Sequence, residues 1–243
     1  MAGYDADLAF VHDVGFGTFS EKAGPGLIAL LEKRGIDRGL VVDLGCGSGI
    51  WAAEASRAGY DVLGIDQSEA MIALARKRAP RRAGFRVASF FKTDLPQCDL
   101  VSSLRECLGY PFNERSGLPN LTRLFSKVHT ALRKDGLFIF DLADPKRGSA
   151  DGRRVCWDED DWALFLDETK SKDSKHLTRR ITTFRRRGNS FRRTQEVHEL
   201  WLYPPRQILS ALRKLGFKAQ TLKQYGDHPF PKGLTAYVAR KHR

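Results

Sequence analysis

The stretch that decides the fold is VVDLGCGSGIWAAEASRAGYDVLGID, residues 41–66. It places three glycines within five positions between two apolar runs, and it ends on the acid Asp66. The run before the glycines is typical of a buried strand, the run after them of a helix, and DVLGID of a second strand. A glycine-rich turn between a strand and a helix lets the backbone approach a ligand closely, because glycine has no Cβ atom.

The same alternation of strands and helices continues beyond this stretch. Helical patterns follow at 68–80 and 118–136, and apolar strand patterns follow at 84–89, 98–103 and 136–145. Parallel strands need connections long enough for a helix, and continuously apolar strands indicate burial on both faces of a sheet. The pattern therefore predicts an α/β fold with a doubly wound, mostly parallel sheet.

Two segments depart from this alternation. Residues 1–35 form a polar and aromatic lead-in followed by an amphipathic helix from residue 24. Residues 155–203 contain three period-two segments separated by turn residues, which predicts a three-stranded antiparallel insert after the fifth strand. A chain of 243 residues can bury one sizeable hydrophobic core, so residues 1–243 are predicted to form a single domain with this insert.

Composition limits the classes of partner. The apolar runs are much shorter than the roughly 18 residues of a membrane span, so no membrane partner is predicted. The four cysteines form no C-x-x-C pair, which favours a reducing cytoplasmic location and predicts no metal site. The formal charge of +12 allows a nucleic-acid partner, although a solvated basic surface is the favoured explanation. The oligomeric state is left open.

The spacing around the glycines indicates the ligand class. Asp66 lies 21 residues after Gly45, at the end of the second strand, where a carboxylate can accept both hydroxyls of a ribose. The glycines are spaced G-x-G-x-G, whereas a dinucleotide site has G-x-G-x-x-G. A ligand that contains a nucleoside is therefore predicted at the carboxyl edge of the sheet, with a nicotinamide-linked dehydrogenase as a less favoured alternative.

The strings VVDLGCGSG and GIDQS resemble the first two motifs of the class I S-adenosylmethionine-dependent methyltransferases. The resemblance covers residues 40–142 closely and 200–241 in layout. It implies a seven-stranded sheet with a last antiparallel strand, and S-adenosylmethionine as cofactor. The cofactor-binding residues that it implies are Asp43 in the first motif, Gly45, Cys46 and Gly47 along the methionine part, Asp66 at the ribose, Gln67 and Met71 beside the adenine, and Leu104 near the cofactor.

One position departs from the family pattern. Many members carry an acid after the third strand that binds the adenine amino group, whereas this chain has Ala88, Ser89 and Phe90 there. Ser89 and the backbone of Phe90 are the candidates for that contact.

Candidate substrate groups follow the fourth strand, in SLRECLGYPFNE at 103–114. Arg105 can hold an anionic substrate, and Glu106 or Tyr110 can bind or deprotonate it; a solvated Arg105–Glu106 pair is an equal alternative. The insert resembles the antiparallel lid of the glycine and amino-sugar N-methyltransferases. His198 in the insert is the predicted general base, because its ordinary pKa lies near working pH. A histidine bonded within the sheet is the alternative.

These observations predict a methyltransferase that acts at O or N of a small molecule, for which Arg105 allows an anionic group. Seven arginines between residues 179 and 193 support an alternative, an RNA methyltransferase that uses this hairpin to contact phosphates. A non-catalytic S-adenosylmethionine-binding protein is a further alternative, since cofactor motifs alone do not require transfer.

Overall fold

Helices and strands alternate along most of the chain in the computed structural model, which describes residues 4–80, 82–110 and 117–242. The helices are α1 (Ala6–Phe16), α2 (Thr18–Lys33), α3 (Ile50–Arg57), α4 (Glu69–Arg78), α5 (Leu118–Ala131) and α6 (Pro205–Lys214). The strands are β1 (Leu40–Leu44), β2 (Asp61–Asp66), β3 (Ala83–Val87), β4 (Cys98–Ser103), β5 (Leu132–Ala143), β6 (Arg153–Glu159), β7 (Trp162–Lys170), β8 (His176–Arg187), β9 (Ser190–Trp201), β10 (Phe217–Leu222), β11 (Gln224–Tyr225), β12 (His228–Pro229) and β13 (Leu234–Lys241). No helix in this described part is long and apolar enough to cross a membrane.

The main sheet has seven strands in the order β10-β13-β5-β4-β1-β2-β3. Strands β3, β2, β1, β4 and β5 pair in parallel, and β13 runs antiparallel to both β5 and β10. The predicted α/β fold with a seven-stranded, mostly parallel sheet is confirmed. The chain leaves β1 towards β2 on one side and returns to β4 on the other, and such a change of direction opens a crevice at the carboxyl ends of the strands.

Both faces of this sheet are buried, as its continuously apolar strands predicted. Val42 contacts one hydrophobic cluster, which includes Phe125 of α5 and Phe138 of β5. Its neighbour Val41 contacts the opposite cluster, which includes Trp51 of α3. Adjacent strand residues point to opposite faces, so this pair anchors β1 between two layers of helices.

The N-terminal lead-in is helical, which the sequence pattern did not indicate. Helix α1 covers Ala6–Phe16, and α2 begins at Thr18 rather than at residue 24. Apolar residues do not form a clear stripe along α1, so its amphipathic signal is weak. Tertiary packing stabilises it instead, because Leu8 and Val11 are buried against the insert in one hydrophobic cluster.

The insert is a separate antiparallel sheet of four strands in the order β6-β7-β8-β9, not three. The unpredicted strand, β6, lies at the edge and is mostly exposed, so its sequence lacks apolar alternation. Strand alternation gives the insert two faces. Leu164, Ile181 and His198 lie on the buried face, whereas Phe165 and Val197 are exposed on the other.

Candidate functional site

The loop between β1 and α3 has a backbone that only glycine adopts readily. Gly45 and Gly47 have φ of 71° and 54°, in the left-handed region. A Cβ on Gly45 would lie 2.8 Å from Cys107 Sγ, whereas a Cβ on Gly47 would meet nothing within 4 Å. Gly45 therefore permits close packing of the loop, and Gly47 leaves open space on its cavity side.

The carboxylate of Asp66 faces this loop from the end of β2. Its Oδ2 accepts a hydrogen bond from the Gly47 amide at 2.9 Å, and its Oδ1 accepts one from the Ser68 amide at 2.9 Å. Burial raises the pKa of Asp66, although these backbone donors oppose the shift. The glycine turn and the acid thus form one unit, as their sequence spacing predicted.

Asp43 is buried beneath the loop. Its Oδ1 accepts a hydrogen bond from Ser102 Oγ at 2.8 Å, and Ser102 Oγ accepts one from Trp51 Nε1 at 3.0 Å. Burial raises the pKa of Asp43 to about 7, against a lowering by the Ser102 hydroxyl. This series of hydrogen bonds connects β1, β4 and α3 at the base of the crevice.

A first cavity opens at the carboxyl ends of β1, β2 and β4. The structure brings most of the predicted cofactor residues to its wall: Asp43, Gly45, Cys46, Gly47, Asp66, Gln67, Met71, Phe90 and Leu104. Ser89 does not line it, and the buried Ser89 hydroxyl has no hydrogen-bond partner among the described residues. The assignment of these residues to the cofactor stays a prediction.

The loop after β4 has a strained backbone, and hydrogen bonds to a buried aspartate stabilise it. Arg105 and Glu106 have φ of 66° and 65°, and a left-handed conformation costs a non-glycine residue roughly 1–2 kcal/mol. Asp141 at the end of β5 accepts hydrogen bonds from both amides, at 3.0 Å and 2.6 Å, and from the Tyr225 hydroxyl at 3.2 Å. Burial raises the pKa of Asp141 to about 6. Residues 111–114 of the predicted 103–114 segment lie outside the described residues.

Glu106 is the centre of a buried ion-pair network. It contacts Arg147 Nε at 2.6 Å and Arg179 Nη1 at 2.9 Å, and Arg179 also binds Glu168 at 2.8 Å and the Tyr110 hydroxyl at 3.0 Å. Burial acts to raise the pKa of Glu106, but the two guanidinium groups outweigh it and the net shift is downward. These contacts favour a structural role for Glu106 over the predicted proton transfer.

His198 lies on β9, on the buried face of the insert. Its Nε2 is 2.9 Å from Glu196 Oε2, and its ring packs near those of Tyr4 and Tyr110, with centroids 5.0 and 5.9 Å away. Glu196 also accepts hydrogen bonds from the Tyr4 and Asp5 amides at 2.7 and 2.9 Å. Burial acts to raise the pKa of Glu196, yet His198 and these amides together lower it. An ionised Glu196 therefore orients the imidazole.

A second cavity lies between the insert, α1 and the loop after β4. Its wall includes His198, Glu106 and Arg179. Both cavities are lined by Tyr4, His12, Phe16, Arg105 and Tyr110. The two cavities therefore adjoin, and the residues that they share define the junction between them.

Two residues at this junction have defined electrostatics. Burial, together with the charge of Arg105, lowers the pKa of His12 to about 3, so its imidazole is neutral. Arg105 donates from Nη1 to the carbonyl of Phe16 and lies 5.6 Å from the ring centroid of Phe19. Among the described residues, Arg105 forms no ion pair with a carboxylate.

Comparison with known proteins agrees with this geometry. A family model described as a methyltransferase domain matches residues 41–136. A putative methyltransferase from Geobacillus sp. is 25% identical over 186 residues, which cover 73% of this chain and 73% of that protein. The chain therefore contains a methyltransferase domain, and the predicted S-adenosylmethionine-dependent methyltransferase enzyme is confirmed.

Solved methyltransferase structures have the same fold. An S-adenosylmethionine-dependent methyltransferase from Clostridium acetobutylicum superposes with a TM-score of 0.80 at 17% identity, covering 97% of this chain and 98% of that one. The sugar N-methyltransferase KedS8 from Streptoalloteichus sp. gives a TM-score of 0.77 at 18% identity, covering 100% of this chain and 95% of that one.

The cofactor of this methyltransferase is S-adenosylmethionine, and the first cavity fits such a group. The missing Cβ of Gly47 leaves space beside the loop, and the fixed carboxylate of Asp66 lies in the same wall. Residues 4–80, 82–110 and 117–242 contain no cluster of three metal-ligating side chains.

The arginine-rich hairpin of the methyltransferase is largely engaged with the protein itself. The buried carboxylate of Asp7 in α1 contacts Arg185, Arg187 and Arg192 of β8 and β9. Arg179 belongs to the Glu106 network, and Arg186 pairs with Asp161 at 3.0 Å. In the described structure, Arg180 and Arg193 alone of the seven have no acidic partner.

Several site residues carry no local sequence signal. Tyr4, just before α1, and Phe16, at its end, line both cavities. Arg147 and Asp141 act on a loop that is more than thirty residues away in sequence. The position of Asp141 at the carboxyl end of a parallel strand was the one available indication.

Proposed function

We propose that this methyltransferase transfers a methyl group to O or N of a small molecule that enters the second cavity and carries an anionic group. The observation that carries the proposal is the junction, where Tyr4, His12, Phe16, Arg105 and Tyr110 line both cavities. A donor in the first cavity and an acceptor in the second can therefore meet there. Alignment of two reactants supplies roughly 7–11 kcal/mol of a barrier.

The charges of the second cavity favour an anionic acceptor. Its wall contains four arginines, Arg105, Arg147, Arg153 and Arg179, but two glutamates, Glu106 and Glu168. Both glutamates are engaged in ion pairs with these arginines. The excess positive charge, with Arg105 at the junction, attracts an anion.

The pair of Glu196 and His198 is suited to accept the acceptor's proton. When His198 donates from Nε2 to the ionised Glu196, its Nδ1 is the unprotonated nitrogen and can act as a general base. When bound, S-adenosylmethionine supplies an electrophilic methyl carbon, whose bond to sulfur breaks as an acceptor lone pair forms the new bond. His198 takes the proton that the acceptor loses, and Arg105 neutralises the acceptor's anionic group.

The solved relatives support a small acceptor. A protein named as a sugar N-methyltransferase shares the fold over the whole of this chain, including the insert. An RNA acceptor is the second candidate, because Arg180 and Arg193 are exposed on the hairpin. The internal pairing of the other arginines leaves little free charge there for phosphates, which disfavours RNA.

A transfer experiment separates these acceptors. The protein is incubated with methyl-labelled S-adenosylmethionine and a cell extract divided into metabolite and RNA fractions. We expect protein-dependent label in the metabolite fraction, in species that an anion exchanger retains. Label confined to RNA, or to cationic metabolites, would contradict the proposal. Asp66→Ala protein is the control for transfer that does not depend on the first cavity.

A further inference from the structure

We infer that the acceptor has an apolar ring, aryl or alicyclic, joined to its anionic group. This inference rests on the proposed function and concerns the end of the second cavity away from the ion-pair network. It separates this protein's acceptor from polyhydroxylated ones such as free sugars.

The apolar end of the second cavity is built by α1 and three strands of the insert. Leu8 and Phe16 come from α1, and Phe16 meets the Trp157 ring edge-to-face, with centroids 5.0 Å apart and planes at 89°. The apolar wall consists of Leu8, Phe16, Trp157, Leu164, Leu166 and Ile181. These side chains offer carbon surface, so they match a ring better than they match hydroxyl groups.

A hydroxyl placed against this wall would lose its hydrogen bonds to water without replacement. Burying an unpaired hydroxyl costs free energy, whereas burying the equivalent apolar surface is favourable. Glu106, Arg147, Glu168 and Arg179, the charged groups at the other end of the cavity, already bind one another. The cavity therefore has a charged end and an apolar end, and an amphipathic acid fits both.

Three small probes test this inference in the full-length protein with S-adenosylhomocysteine at saturation. Calorimetry compares 3-phenylpropanoate, which has a ring and an acid, with glucuronate, which has an acid and hydroxyls, and with 2-phenylethylamine, which has a ring and a cation. We expect 3-phenylpropanoate to bind at least about tenfold more tightly than glucuronate. Glucuronate binding as tightly as 3-phenylpropanoate, or no binding of 3-phenylpropanoate, overturns the inference.

A matched pair of variants locates the binding. Trp157→Ala removes a side chain from the apolar wall, whereas Phe165→Ala removes an aromatic side chain from the exposed face of the adjacent strand. We expect the first to weaken 3-phenylpropanoate binding at least about tenfold and the second by less than about twofold. Equal effects overturn the inference. Affinity for S-adenosylhomocysteine reports correct folding, and Leu166→Ser replaces Trp157→Ala if that variant does not fold.

The probes also distinguish this inference from the proposed function. If 2-phenylethylamine binds as tightly as 3-phenylpropanoate, the apolar wall still binds the ring, but the anionic part of the proposed function is wrong. If the transfer experiment labels free sugars and Trp157→Ala does not change that transfer, the proposed methyl transfer to small molecules stands and the apolar acceptor is wrong.

Discussion

The two cavities differ in how the chain builds them. The first takes a large part of its wall from one continuous stretch, residues 43–71, in which the Gly45 amide donates to the Ile65 carbonyl and the Gly47 amide donates to the Asp66 carboxylate. The second draws on α1, the loop after β4 and all four strands of the insert. Short-range geometry therefore determines the donor side of the site, whereas tertiary contacts between distant charged groups determine the acceptor side. Mutations in the two cavities should have separable effects.

The largest effect is expected from breaking the ion-pair network beside the second cavity. Arg179→Met leaves Glu106 and Glu168 without their shared partner, and loss of one member of a buried pair costs about 3–5 kcal/mol of unfolding free energy. Urea denaturation measures this loss. Arg180→Met, which changes the exposed neighbour, should alter stability by less than about 0.5 kcal/mol. Equal losses would contradict the structural role of the network.

In the first cavity, Asp66→Ala should weaken cofactor binding while the fold persists. Two hydrogen bonds from ribose hydroxyls to a carboxylate contribute about 3 kcal/mol, so the Kd for S-adenosylhomocysteine should rise about 100-fold. Calorimetry measures it. Asp61→Ala, at the exposed start of the same strand, is the control and should leave the Kd unchanged. An unchanged Kd in the Asp66 variant would rule out its ribose role.

A smaller and more selective effect is expected at His198. His198→Ala should keep the affinity for S-adenosylhomocysteine and lower turnover at least about tenfold, because the acceptor's proton then has no oriented base. Turnover is measured by transfer of label to the metabolite fraction. Glu199→Ala changes a neighbour on the exposed face and should be neutral. Wild-type turnover in the His198 variant would leave this histidine a structural role only.

The smallest effect concerns the pH dependence of stability beneath the first cavity. Burial holds the pKa of Asp43 at about 7, above its ordinary value of 3.8, so the folded state binds this proton more tightly than the unfolded state. The contribution of Asp43 is therefore fully present below about pH 4 and is lost as the pH rises through about 7. Asp43→Asn should reduce the fall in unfolding free energy between about pH 4.5 and 7.5 by about 1 kcal/mol or more. Urea denaturation at several pH values checks it, and parallel curves for the two proteins would contradict it.

The contrast between the cavities also explains what the sequence predicted. The alternation of strands and helices indicated the seven-stranded sheet, and the spacing from Gly45 to Asp66 brought the loop and the acid together, because both depend on local backbone geometry. Helix α1 and strand β6 were missed, since α1 gains its stability from packing on the insert and β6 is an exposed edge. The partners of Glu106 could not be predicted, because no local spacing relates it to Arg147 or Arg179.

A crystal structure with S-adenosylhomocysteine tests the central claim, that donor and acceptor cavities meet at one junction. We predict the ribose hydroxyls within hydrogen-bond distance of Asp66 and the sulfur facing Tyr4, His12, Arg105 and Tyr110. A nucleoside bound in the first cavity with its sulfur directed away from these residues would contradict the account, as would binding outside this cavity.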